Sequence, residues 1–195
     1  MKHASSRELF AYWTARRGAR PAPERSEIEP AAIRRALGDV FILAVDRPSG
    51  HPFRLAGTRV CALFGRELRG QPFLDLWDGQ SRVALADLMN TVGEETTGAV
   101  ASVSACTAQG WTQGLELLVL PLRQRGEAQA RMIGVLAPFS VPFWLGAARL
   151  GGLTLGTVRH LDPALETPSA ARLVPGAEVL NGQHGIFVVH EGGRR

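Results

Sequence analysis

Residues 53–77, FRLAGTRVCALFGRELRGQPFLDLW, decide the fold. Phe53-Arg54-Leu55 alternates apolar and polar, as a half-buried strand does. Gly57 permits a turn, and the Thr58 hydroxyl is suited to cap a helix by accepting from an orphan backbone N–H. Val60, Leu63 and Phe64 stand at i, i+3, i+4 and form one apolar stripe, with Gly65 where a left-handed residue ends a helix. A second turn at Arg69-Gly70 leads to Pro72, suited to a first helical position, followed by Phe73, Leu74, Leu76 and Trp77. Helices this short do not hold together alone in water, so the stretch predicts a sheet beneath them.

On the N-terminal side, Asp39 to Asp46 is a continuous apolar run bounded by acids and reads as a central strand. Pro48-Ser49-Gly50 is turn chemistry, so a second strand around Pro52 to Leu55 pairs with it as a hairpin. Ser26, Glu29 and Pro30 open a short helix carrying Ile33 and Leu37 to Gly38. Ser5 and Glu8 form a capping box for a first helix ending at Gly18. Leu9, Tyr12 and Trp13 make its aromatic stripe. That stripe either folds back onto its own sheet or meets a second protomer or partner, and the three residues are the candidate interface.

On the C-terminal side, Leu85, Leu88, Met89 and Val92 recur with helical period from about Gln80 to Gly93. Three strands follow, over Ala99–Cys106, Leu115–Leu122 and Ala130–Phe139, joined through Gln109-Gly110 and Arg125-Gly126 as antiparallel hairpins. The fold class is therefore α+β, a five-stranded antiparallel sheet with helices on one face, plus the N-terminal helix and an irregular C-terminal extension. Beyond Phe139 the prolines and glycines break any long period, and only Leu150–Val158 and Glu178–His190 read as strand-like. The division is a helical segment over 1–38, a core over 39–139 and an extension over 140–195.

The chain has 195 residues, enough for one domain with a sizeable core. Its net charge of +4 comes from arginines that are scattered or paired and form no basic stripe, which argues against nucleic acid. No apolar run reaches the length of a membrane span, and the N-terminus lacks a signal-peptide core. Cys61 and Cys106 fall in apolar stretches and suit buried free thiols. A reducing cytoplasm is the expected compartment.

Catalytic signatures are missing from the sequence. The histidines stand in termini, turns or the tail, with no HExxH, no Cys/His set at metal spacing and no phosphate loop. Glu67, Asp75, Asp78 and Glu116 are the carboxylates near the expected cleft. Glu116 interrupts an apolar strand, where an unpaired carboxylate is costly. It either faces solvent on the alternate face or pairs with Arg54 or Arg131; a catalytic reading would make Glu116 or Asp75 a general base. The hollow between sheet and helices is the candidate ligand site. Phe41, Leu43, Phe53, Leu55, Cys61, Phe64, Trp77, Met89, Leu118 and Met132 are expected to line it, with Arg54, Arg59 and Glu116 as polar guards. The competing expectation is that these side chains fill the space completely.

Tyr12-Trp13, IEPAAI from Ile28, VFILAV from Val40, the 53–77 stretch and LLVLPL from Leu117 together resemble a PAS domain. More narrowly, they are similar to the PAS_5 type, a stand-alone family abundant in alphaproteobacteria. The resemblance implies a five-stranded sheet with helices on one face. It also implies a non-catalytic sensing or docking role, dimerisation through an N-terminal helix and a signalling protein as partner. It names no cofactor. GTRVCALFG differs from the flavin-binding PAS motif GxNCRFLQ, which argues against a photoactive flavin. The long helix has no histidine to serve as an axial haem ligand. With no output module in the sequence, the expected function is regulation through protein contacts, gated by a small ligand in the hollow. The alternative is a purely structural dimerisation or docking module with a filled core.

Overall fold

The computed structural model describes residues 1–123 and 131–161. Helix α1 (Ala4–Arg17) is followed by short 3-10 turns at Arg25–Glu27, Pro30–Ile33 and Leu37–Asp39. Strands β1 (Val40–Ala44) and β2 (Phe53–Ala56) come next. Helix α2 (Thr58–Phe64), a 3-10 turn at Phe73–Leu76 and helix α3 (Gly79–Glu95) then precede β3 (Gly98–Cys106), β4 (Thr112–Leu122), β5 (Arg131–Pro138) and β6 (Thr154–Leu161). The strands make one antiparallel sheet in the order β2-β1-β5-β4-β3-β6.

The sheet has six strands rather than five. The Leu150–Val158 run supplies the extra one, pairing Gly98 with Leu161 and Ala101 with Val158 along the far edge of β3. An uncovered β3 would present a row of unpaired backbone groups, and β6 covers it. The Glu178–His190 run lies outside the described residues.

Side-chain parity along the central strands explains the layers. Leu115, Leu117 and Val119 of β4 join the cluster beneath α2 and α3, whereas Leu118, Leu120 and Leu122 join a second cluster on the opposite face. β1 is buried at all five positions. Strands apolar on both faces need cover on both faces. The helices are therefore not all on one side: α1 closes the second face, with Leu9 and Trp13 fully buried. The Trp13 indole N–H donates to the Pro121 carbonyl at 2.8 Å. Tyr12 Oη donates to the Glu27 carbonyl at 3.0 Å and accepts from the Glu29 amide at 2.9 Å. Leu9, Tyr12 and Trp13, read as a candidate interface, are thus engaged within the chain's own fold. With Phe10, Leu9 and Trp13 supply the apolar cover that α1 gives β4 and β5.

Local chemistry follows the sequence with small shifts. Gly65 ends α2 in the left-handed region at φ 60°. The cap of α1 is His3, whose Nδ1 accepts from the Ser5 amide, rather than Ser5 itself. After Pro72 the chain makes only one 3-10 turn before Trp77 returns to extended backbone. Gly134 of β5 lies under the Phe41 ring: a Cβ there would stand 2.3 Å from both Phe41 Cζ and the Leu118 carbonyl oxygen.

Two stability outcomes follow. Gly134→Ala should lose about 2 kcal/mol or more in urea denaturation, because neither the ring nor the backbone can withdraw freely. Trp13→Ala should lose about 3–5 kcal/mol, the cost of emptying a buried aromatic site. Analytical ultracentrifugation on the same variant separates this from an interface role, since the loss is expected without a change in association state.

Candidate functional site

The hollow beneath α2 and α3 is built from aromatic rings in mutual contact. Phe41, Phe53 and Phe73 stand with centroids 5.2 to 5.9 Å apart, and Trp77 meets Phe73 edge-on at 5.8 Å. Edge-to-face pairs at these separations are favourable beyond the area they bury. Leu43, Phe64, Met89 and Met132 join the same cluster, and Cys61 packs at its margin. Two buried ring nitrogens lack a hydrogen-bond partner: Trp77 Nε1 in this cluster and His51 Nδ1 in the turn between β1 and β2.

Four residues expected at the hollow lie elsewhere. Leu118 is on the α1 face, one step out of parity with Leu117 and Val119. Leu55 is 43% exposed, and Arg54 is exposed beside it. A bulge between β1 and β2 pairs Ile42 with Leu55 and Leu43 with Phe53, leaving Arg54 as the extra residue. Bulges re-aim side chains in this way.

Glu116 is the fourth, and neither expectation for it holds. It is buried, and its carboxylate accepts from the backbone amides of Lys2 at 2.6 Å and His3 at 3.0 Å, not from an arginine. Burial pushes its pKa up, but those amides and the Ser6 side chain hold it below the usual carboxylate range. A carboxylate held below its usual pKa is a weaker proton acceptor, the opposite of the raised pKa that suits a general base. Asp75 is engaged too, with Arg82 at 2.7 Å.

A second polar centre was not read from the sequence. Asp39, only 2% exposed, accepts from Ser5 Oγ of α1 at 2.6 Å and from both Nε and Nη2 of Arg59 in α2 at 2.7 Å. The two-pronged arginine bond is the strong form of such a pair, and the Asp39 bond raises the Arg59 pKa. Two glycines allow the approach. A Cβ on Gly57 would meet the Leu37 carbonyl oxygen at 2.3 Å, and one on Gly38 would meet Arg59 Cζ at 2.8 Å. Beside this clasp a half-open pocket of about 230 Å³ is lined by His3, Ser5, Asp39, Arg59, Leu63, Pro138, Val141 and Leu145. The sequence signal was a pair of glycines and a pair of opposite charges on segments that α2 had to join.

Both thiols are free; burial pushes that of half-buried Cys61 up, whereas Cys106 is exposed rather than buried. Among the described residues no group of three or more His, Cys, Asp or Glu side chains converges to hold a metal. Nor is any helix among them long and apolar enough to cross a membrane.

His51, expected in a solvated turn, is 2% exposed and left-handed at φ 57°. Burial lowers its pKa, against a smaller opposing hydrogen bond to the Ala44 backbone. A histidine whose folded pKa lies below its unfolded value of about 6.5 binds its proton more readily when unfolded. Stability should therefore fall as pH drops below about 6.5, and His51→Asn should flatten that limb in thermal melts. The lowered Glu116 carboxyl adds a separate loss only as pH falls below about 4.5. A His51→Asn slope between about pH 6.5 and 5 identical to the parent would refute the assignment.

Comparison with known proteins adds the following. A family model described as PAS domain, PAS_5, matches residues 1–137. No curated protein matches the chain. Among solved structures, the crystal structure of the PAS domain of an HTR-like protein from Haloarcula marismortui is similar at 16% identity. That match covers 55% of this chain and 90% of that one, with a TM-score of 0.34.

Proposed function

The chain belongs to the PAS_5 family of PAS domains, and from that premise we propose that it is a non-catalytic regulatory module acting in the cytoplasm through contacts with other proteins. One observation carries the reading. Asp39 ties α1, which covers one face of the sheet, to α2, which covers the other. A shift in α2 that loosened Arg59 would leave a buried carboxylate short of donors, and the strain would be felt at Ser5 in α1. In this reading the covers shift between two packings, and a partner's differential affinity for them transmits the signal.

Association with a second copy, which the family resemblance implies, would use the outward side of α1, where Ala11, Ala15 and Arg16 are exposed. Gating by a small ligand is the second reading. It is favoured by the unpartnered Trp77 Nε1 within otherwise apolar surroundings. A ligand for that space would be largely apolar, with one group able to accept from the indole.

The test is capture of a protein partner from host cytoplasm, followed by reconstitution of the complex from purified components. Asp39→Asn should keep the fold, checked by circular dichroism, and weaken the reconstituted complex by about tenfold, roughly 1.4 kcal/mol. Failure to reconstitute any complex would overturn the reading. Native mass spectrometry of protein taken from its host would report a bound small molecule.

A further inference from the structure

A groove of about 560 Å³ lies at the edge of the sheet formed by β2. Its lining is Arg25, Ile42, Phe53, Arg54, Leu55, Arg69, Gly70 and Arg131, with four arginines and no acidic side chain. These four come from four separate parts of the chain: the 3-10 turn after α1, the bulged β2, the loop after α2, and the start of β5. That is why the sequence shows no basic stripe.

Arg25, Arg54 and Arg69 form no ion pair among the described residues. The neighbouring acids are committed elsewhere: Glu24 faces Arg123 at 3.7 Å, and Glu27 faces Arg20 at 3.0 Å. Glu67 turns its carboxylate back onto the amides of Leu68 and Arg69. The bulge at Arg54 brings a guanidinium and the half-exposed Leu55 side by side, so the groove offers an apolar side chain within an excess of positive charge.

Resting on the reading that this chain works through protein contacts, we propose that the groove docks an acidic, extended segment of a partner protein. Its carboxylates would meet Arg25, Arg54 and Arg69, and an apolar side chain would cover Leu55. Charge complementarity selects the sign of the occupant. The exposed Leu55 side chain and a volume of about 560 Å³, far larger than an inorganic anion, select a peptide. Single-stranded nucleic acid would need aromatic faces for its bases, and Phe53 is 1% exposed. The Phe53 amide and carbonyl are taken by Gln71 and Gly70, so recognition runs through side chains and not through an added strand.

The test uses the full chain and a dye-labelled peptide of about twelve residues, rich in Asp and Glu with two leucines, read by fluorescence anisotropy. A version with glutamine and asparagine in place of the acids serves as control. The acidic peptide should bind at least about tenfold more tightly than its neutral control, and the difference should shrink with added salt. Arg54→Glu and Arg69→Glu should each weaken binding by about tenfold, and Leu55→Ser by a few-fold. Arg82→Glu, on α3, should leave binding unchanged. All three groove positions are exposed, so these variants retain the fold, which thermal melts verify. Equal binding of both peptides, or undiminished binding by Arg54→Glu with Arg69→Glu, overturns the proposal. Binding of inorganic tripolyphosphate or a single-stranded oligonucleotide in preference to the peptide overturns it equally. A reconstituted natural complex untouched by the two charge reversals would remove this groove while leaving the regulatory reading intact.

Discussion

A sheet with apolar side chains on both faces cannot meet water on either side, and that constraint organises the whole chain. β1, β4 and β5 are buried throughout their central residues. One face is closed by α2, α3 and the turn before Trp77, and the other by α1 with the 3-10 turns that follow it. Each cover is too short or too weakly amphipathic to be a stable unit alone, so each depends on the sheet for its existence. The dependence runs both ways, because β4 and β5 would expose Leu118, Leu120 and Ile133 without α1.

Polar groups are placed where the covers meet. Asp39 stands just before β1, at a point where the two layers come within reach of one side chain. Glu116 sits on the α1 face and binds the residues that lead into that helix. Buried carboxylates are tolerated only with a full set of donors, and both have one. The two acids therefore fix where α1 begins relative to the sheet, which the apolar contacts of Leu9 and Trp13 alone would leave free to slide.

Much of this architecture was legible in the residues. Apolar runs located five strands and the period of Leu85, Leu88, Met89 and Val92 located α3, because burial leaves its period in the sequence. Gly65 marked the end of α2 through its backbone freedom alone. What one sequence does not carry is which side of a sheet a helix will cover: Leu9 and Trp13 read equally well as a buried stripe or an open one. Parity along β4 was available but demanding, since Leu117 and Leu118 are equally apolar and differ only in the face they take. Glu116 was visible as an anomaly, yet its donors are backbone amides, and amides have no sequence signature. Asp39 and Arg59 meet only because Gly38 and Gly57 let two backbones approach, and the arginine groove assembles four segments that share no local pattern.

Glu116 draws its partners from main-chain atoms, and this has a bearing on how the leading segment can vary. Lys2 and His3 donate to it through groups that every residue but proline possesses, so this role fixes the position of the two residues and not their side chains, although the His3 ring is needed separately to cap α1. Proline at either site, or trimming of the first three residues, would strand an anion inside the sheet. Residues 2 and 3 thus act as a wedge held by its main chain, strict in placement, with only the His3 ring carrying a further duty at the start of α1.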